Sequence, residues 1–530
     1  MLGGSKGTHA ALGLRDRGVE IAKTLKNSLP NCAKERKCRE RPTPVVGRNP
    51  YGKHCLTANA CKARSSMKTR SGTLIVSLTI VSLLLPIINL GAIVFTNLYD
   101  FNCNLGCDPS SLVLWGNTLF GTTGGGGSGG AGTVFKINTD GTGYTNLYCF
   151  NGDNGNNPGG LFLAGDTLYG TAAPGGTNGS ILFSIKTDGT GFTNLNNFTN
   201  DDGNALSVSL SIGNTLVGTI GNGGSNGNGT VSMINTDGTC FTNIYTFSAD
   251  AYTPFPIAGQ TDLPTNYDGV NPGGVILEGN ILYGVAGYGG TGGNGTVFRI
   301  NLDGTGFTNL HSFTRGSYNS FWDIANSDGA NPQPGLVLSG NTLYGTTQQG
   351  GTAGEGTVFR INTDGTGFTN LHNFSGSIKT NGYYPQGSVV LYGSTLYGTT
   401  LQGGVHDYGA VYRINIDGTG FAVLYSFNLN DGQWPGSLLL CGSGFYGSTL
   451  HGGGVGGMGN LFLLSLPVFP IPLQFQIYGN NTILRWDNPA FSLQAAPMVT
   501  GVYTNISGAT SPYTNANTRS QMFYRLQGNQ

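Results

Sequence analysis

The chain is 530 residues long, enough for several ordinary domains or one large repeat array; its 91 glycines and 22 prolines stay below the level of low-complexity disorder and follow no collagen period. The formal net charge of zero hides an asymmetry, because residues 1–70 carry sixteen Lys and Arg against four Asp and Glu, whereas the remainder carries ten against twenty-two. An acidic body without clustered cations argues against a nucleic-acid partner, since phosphate recognition needs Lys and Arg gathered on one face.

Residues 1–66 form a basic extension whose Cys32, Cys38, Cys55 and Cys61 match no zinc spacing, and it reads as an over-extended start or a cytoplasmic tail. Residues 67–92 read as a signal peptide: Met67-Lys68-Thr69-Arg70 supplies the basic n-region, an apolar run starts at Leu74, and Leu90-Gly91-Ala92 offers small residues for cleavage. The alternative is an uncleaved signal anchor, the one route to a membrane in this chain, because the run is about long enough to span a bilayer. Both readings place the rest of the chain outside the cytoplasm, in a compartment that permits disulfides. The body has five cysteines; Cys103 and Cys107 are spaced for local pairing, while Cys149, Cys240 and Cys441 read as buried free thiols.

From residue 93 onward the chain repeats itself. One unit runs Gly340-Asn341-Thr342-Leu343-Tyr344-Gly345-Thr346-Thr347, a Gly-Gly loop, Gly356-Thr357-Val358-Phe359-Arg360-Ile361-Asn362, a turn at Asp364-Gly365, and Phe368-Thr369-Asn370-Leu371-His372-Asn373-Phe374. Equivalent units start at Gly116, Gly165, Gly213, Gly279, Gly340, Gly393 and Gly442. Alternation and turn chemistry place four strands in each unit, the last two joined by the Asp-Gly hairpin. Strands that meander and repeat radially protect their edges as a propeller. The last unit loses its fourth strand at Pro467 and Pro470, and Phe95 to Phe101 copies that strand before any complete unit appears. The expected fold is therefore all-β: a seven-bladed β-propeller over 93–467, closed by a blade shared between its two ends. The strand-like segments of 470–530 read as a small β-sandwich.

The Gly-Gly ending of strand two and the aromatic-rich fourth strand resemble the kelch pattern. The fuller Leu-Tyr-Gly-Thr-Thr, Gly-Thr-Val-Phe and Asp-Gly signature resembles the GloVer-type repeat of bacterial choice-of-anchor tandem-repeat proteins, over about residues 95 to 465. That resemblance implies an exported protein and brings no catalytic residues with it. Residues 470–530 resemble the fibronectin-like terminal modules of exported bacterial proteins.

Residues present in every copy are explained by the blade, so function is sought where copies differ. The Asp-Gly turns are hairpin residues, and His311 and His372, at one repeat position, are packing residues. Variation gathers in the loops of one face, where the inserts over 248–272 and 314–332 carry Tyr252, Phe255, Tyr267, Tyr318, Phe321 and Trp322. The next two equivalent loops add Tyr383, Tyr384 and Trp434. Beside them stand Asp268, Asp328 and Asp431 in Asp-Gly-x-x-Pro loops, which read first as turn formers and second as oxygen ligands for calcium, the one cofactor this chain invites. Aromatic rings beside Asp and Asn suit a polysaccharide or a cell-surface protein as partner. A polysaccharide hydrolase or lyase is the enzyme alternative, with carboxylates among Asp262, Asp268, Asp323 and Asp328. His406 and His451, in neighbouring Gly-Gly loops, could begin a metal site, although the further Tyr and Cys ligands of copper oxidases on kelch propellers are not recognisable. A structural cell-surface component is the third alternative.

Overall fold

The computed structural model describes residues 93–466 except 175–178, 200–201, 204–205, 250–264, 319–323, 443 and 455, and, beyond them, 474–478, 481–485, 491–496, 503–506, 509, 513–516 and 523–528. The expected N-terminal extension and signal segment lie outside the described residues.

Seven antiparallel sheets follow one another: blades 1 to 6 span 107–149, 156–197, 207–246, 270–312, 330–373 and 383–426, and blade 7 combines 433–465 with Val94–Asp100. Blade 6 shows the pattern, with strands Tyr383–Tyr392, Thr395–Gln402, Ala410–Asn415 and Ala422–Ser426 paired in sequence order. Blades 5 and 7 differ in that the first strand is interrupted, as Ala330–Pro332 and Val337–Ser339 and as Gln433–Pro435 and Leu439–Cys441.

The repeated residues build the blade by close packing. Gly345 pairs with Phe359 across the second and third strands, and a Cβ on Gly345 would fall 2.6 Å from the Phe359 ring. The glycine of Leu-Tyr-Gly-Thr is thus the seat of a cross-strand ring, repeated at Gly398 beneath Tyr412. The Asp-Gly hairpin works as expected: Asp364 accepts from the Thr366 backbone N–H at 2.9 Å and from its hydroxyl at 2.7 Å. Those bonds, the hydroxyl's first, hold the Asp364 carboxyl below its usual range, as their equivalents do at Asp140, Asp237, Asp303 and Asp417 and, with the backbone bond first, at Asp188. Cys240 corrects one expectation. It is exposed, not buried, because it takes the left-handed turn position (φ 56°) that glycine holds in other units, as at Gly306.

Two devices join the blades. On the outer strand, an aromatic ring stacks on a ring of the next blade: Tyr148 on Phe192 at 3.7 Å, His311 on Phe368 at 3.8 Å and His372 on Phe421 at 3.7 Å between centroids. His311 and His372 therefore pack as expected. Nearer the axis, the proline of each Asp-Gly-x-x-Pro loop, or of its Asn-Gly counterpart at 381–385, lies against the glycine that opens the third strand of the preceding blade; a Cβ on Gly356 would fall 2.5 Å from Pro385 Cδ.

The ring closes as the shared blade requires. Val94–Asp100 pairs antiparallel with Asn460–Ser465, from Val94 opposite Ser465 to Asp100 opposite Asn460. Tyr99 stacks on Tyr144 of blade 1 at 4.2 Å, so the N-terminal strand completes blade 7 and packs onto blade 1. Beyond the propeller, two three-stranded antiparallel sheets form from Gln474–Tyr478, Asn481–Arg485 and Tyr513–Ala516, and from Phe491–Ala496, Thr504–Asn505 and Phe523–Gly528. Buried Leu484 and Leu493, one from each sheet, share a cluster with Tyr513 and Tyr524. Tyr513–Ala516 is a strand that the alternation pattern did not single out.

Candidate functional site

Three of the blade-to-blade loops are tied by a carboxylate to the outer strand before them. Asp268, 1 % exposed, accepts from Tyr245 Oη at 2.7 Å, from the Ser248 N–H at 2.8 Å and from the Ser248 hydroxyl. Asp328, 6 % exposed, meets His311 Nε2 at 2.9 Å and accepts from the Thr314 N–H at 3.1 Å. Asp431 accepts from Tyr425 Oη at 2.5 Å and the Asn428 N–H at 2.6 Å. Burial first, and these carboxylates second, hold Tyr245 and Tyr425 protonated, above the ordinary phenol range. The three carboxylates organise their own loops. Among the described residues, no group of three His, Cys, Asp or Glu side chains is placed to hold a metal ion.

Three positions after each of these acids comes the residue before proline, and its backbone is unusual. Asp108, Asn157, Asn271, Asn331, Tyr384 and Trp434 occupy this place in six blades, with φ between 44° and 60°. Each donates its N–H to a carbonyl of the preceding blade, as Tyr384 does to Glu355 at 3.0 Å and Trp434 to Tyr408 at 3.1 Å. Asn and Asp tolerate this left-handed conformation, whereas a bulky aromatic side chain there is strained by about 1–3 kcal/mol. The blades therefore hold Tyr384 and Trp434 where local preference would not.

Asn271 and Asn331 of this set line a central cavity of about 850 Å³ walled by residues of all seven blades. Its lining holds no charged side chain. Ser207, Ser209, Ser388 and Ser437 line it together with amide side chains, among which Asn331 Nδ2 donates to Gln348 Oε1 at 2.9 Å and Gln348 Nε2 to Gln386 Oε1 at 3.4 Å. A second cavity of about 260 Å³ shares Gln386, Gly387 and Ser437 with the first and is walled by Trp434, Pro435, Leu401 and Leu450. Above it the Trp434 ring lies 5.0 Å from that of His451, whose Nδ1 is 3.4 Å from Asp108 Oδ1. In the neighbouring blade Tyr383 packs edge-on against Tyr384 at 5.1 Å and donates from Oη to Asp407 at 2.8 Å.

Of the expected aromatic set, Tyr383 packs against Tyr384 on blade 6, and Trp434 packs against His451 on blade 7. Tyr267 is 61 % exposed and lies edge-on to Phe307 beside the outer strand of blade 4. Tyr318 falls in a short ribbon in which Ser317–Tyr318 pairs with Ile324–Ala325. Tyr252, Phe255, Phe321, Trp322, Asp262 and Asp323 lie outside the described residues. Of the two expected histidines, His406 is exposed and His451 faces Asp108. Asp108, Asn271, Asn331, Gln348 and Gln386 were missed; aligning the units on the residue before proline would have marked the first three.

The Gloeobacter/Verrucomicrobia repeat family matches residues 87–267 and 314–482. No curated protein matches the chain. Among solved structures, an oligogalacturonate lyase in complex with manganese is similar at 13 % identity, covering 71 % of this chain and 93 % of that one, with a TM-score of 0.43. An oligogalacturonate lyase from Vibrio parahaemolyticus is similar at 10 % identity, covering 71 % and 98 %, with a TM-score of 0.42. The computationally designed Ika8 protein is similar at 11 % identity, covering 72 % and 93 %, with a TM-score of 0.37.

Proposed function

This chain belongs to the Gloeobacter/Verrucomicrobia repeat family, and we propose that it is an exported, non-catalytic binding propeller whose cavity mouth on blades 6, 7 and 1 takes a neutral glycan. The observation that carries this reading is an uncharged amide and hydroxyl lining that adjoins, through Gln386, Gly387 and Ser437, a smaller cavity walled by Trp434 at φ 58°, with Tyr384 held at φ 57° at the equivalent position one blade earlier. Aromatic faces stack against the C–H face of a sugar, while amides exchange hydrogen bonds with its hydroxyls. The lining offers no Lys or Arg to an anionic polymer. The carboxylates nearest the rim, Asp108 and Asp407, are engaged by His451 and Tyr383, whereas glycoside hydrolysis needs two carboxylates held across one bond. Export rests on the segment over 67–92, and we assign the two C-terminal sheets to a small fibronectin-like sandwich on the strength of their shared leucine cluster.

The test is a panel of neutral and anionic polysaccharides offered to the full chain, with binding and release of product both measured. Saturable binding of neutral polymers without product is the expected result. Product release would make the protein an enzyme; binding of anionic polymers alone, or of none, would overturn the proposal and direct the search to a surface protein.

A further inference from the structure

We infer that Cys103 and Cys107 form a disulfide that staples the loop between the ring-closing strand and blade 1. The loop is a tight hairpin: the Asn102 carbonyl accepts from Leu105 N at 3.1 Å and Gly106 N at 2.8 Å, and Asn102 and Gly106 form an antiparallel bridge. Cys103 follows one side of that bridge and Cys107 the other, so the two cysteines flank a single tight turn. Both are anchored. The Cys103 carbonyl accepts from Gly127 N at 3.2 Å, and Cys107 pairs with Gly125, whose missing side chain leaves room for the sulfur.

The two thiols differ in a way that orders the reaction. Cys103 is exposed, and Cys107 is buried. Exposure lets Cys103 react first, and burial most, then the neighbouring Cys103 thiol and the Asp108 charge, push the Cys107 thiol up to about 12. With a low-molecular-weight disulfide such as oxidised glutathione, the Cys103 thiolate attacks one sulfur and expels one glutathione thiol, leaving a mixed disulfide. Cys107, losing its proton to solvent, then attacks the Cys103 sulfur and expels the second. The protein loses two electrons and two protons, and one oxidised glutathione becomes two reduced molecules. The product fixes the residue before Asp108, and with it the side of the Trp434 cavity that blade 1 supplies.

The experiment equilibrates the full chain in a glutathione buffer of oxidising poise, unfolds it, alkylates free thiols and reads the cysteine peptides by mass spectrometry. The expected result is one peptide holding Cys103 and Cys107, unalkylated and lighter by two hydrogens, with Cys149, Cys240 and Cys441 alkylated. Alkylation of both Cys103 and Cys107, or a link from Cys103 to Cys149, overturns the inference. Reductant should also lower the melting temperature of the wild type and of Cys240→Ser but not of Cys103→Ser; a reductant shift that persists in Cys103→Ser contradicts it as well.

Discussion

His311 and His372 hold the same place in consecutive blades and stack on equivalent rings, yet their edges meet different surroundings. His311 Nε2 reaches Asp328 at 2.9 Å. For His372 the corresponding loop begins Asn381-Gly382, and Nε2 is buried without a hydrogen-bond partner among the described residues. Burial pushes His372 from 6.5 down to about 4. The unfolded chain therefore binds a proton there that the folded chain refuses, and stability falls as the pH drops from about 6.5 towards 4. His372→Phe keeps the ring stack and removes the site, so its unfolding free energy should vary less with pH across that window than the wild type's, as denaturant melts at pH 7 and pH 4.5 will read. The packing role of both histidines was legible from the repeat, because one position filled by Tyr, His or Asn speaks of shape. The missing acid opposite His372 shows only once the loop is folded back onto the strand.

At the scale of the element, one glycine explains why the blades lean on one another. Gly356 has φ 100°, and an added Cβ would fall 2.5 Å from both Pro385 Cδ and the Thr347 carbonyl oxygen. Gly340 also has a positive φ, 55°, but faces open space. Gly356→Ala should therefore cost about 3 kcal/mol or more, combining backbone strain with a forced blade seam, whereas Gly340→Ala should cost about 1 kcal/mol. Equilibrium unfolding of the two variants separates the effects. The strands, the Asp-Gly hairpins and the Asp-Gly-x-x-Pro turns were readable in the sequence, since each rests on local alternation or turn chemistry. The positive φ before proline was not. A residue in that position ordinarily adopts extended or polyproline backbone, and here the N–H bond to the preceding blade overrides the local preference.

For the whole molecule, closure was legible because a fourth strand was missing at one end and surplus at the other. The cavity was not, because its wall takes residues from seven blades that are tens of residues apart, and no single copy shows which of them face the axis. Aromatic content pointed to the inserts around Tyr267 and Tyr318, while the folded ring sets Trp434 beside His451 and Asp108, and Tyr383 beside Tyr384 in the blade before. Four of the six residues with this backbone are Asn or Asp, so asparagine is the structurally compatible replacement at the two strained rings. The measurement that bears most directly on the account is neutral-polysaccharide affinity and melting temperature for the Tyr384→Asn, Trp434→Asn double variant beside the wild type. The account predicts affinity weaker by about tenfold or more for each ring lost, with a melting temperature equal to the wild type's or higher. Unchanged affinity in a variant that melts normally would contradict it.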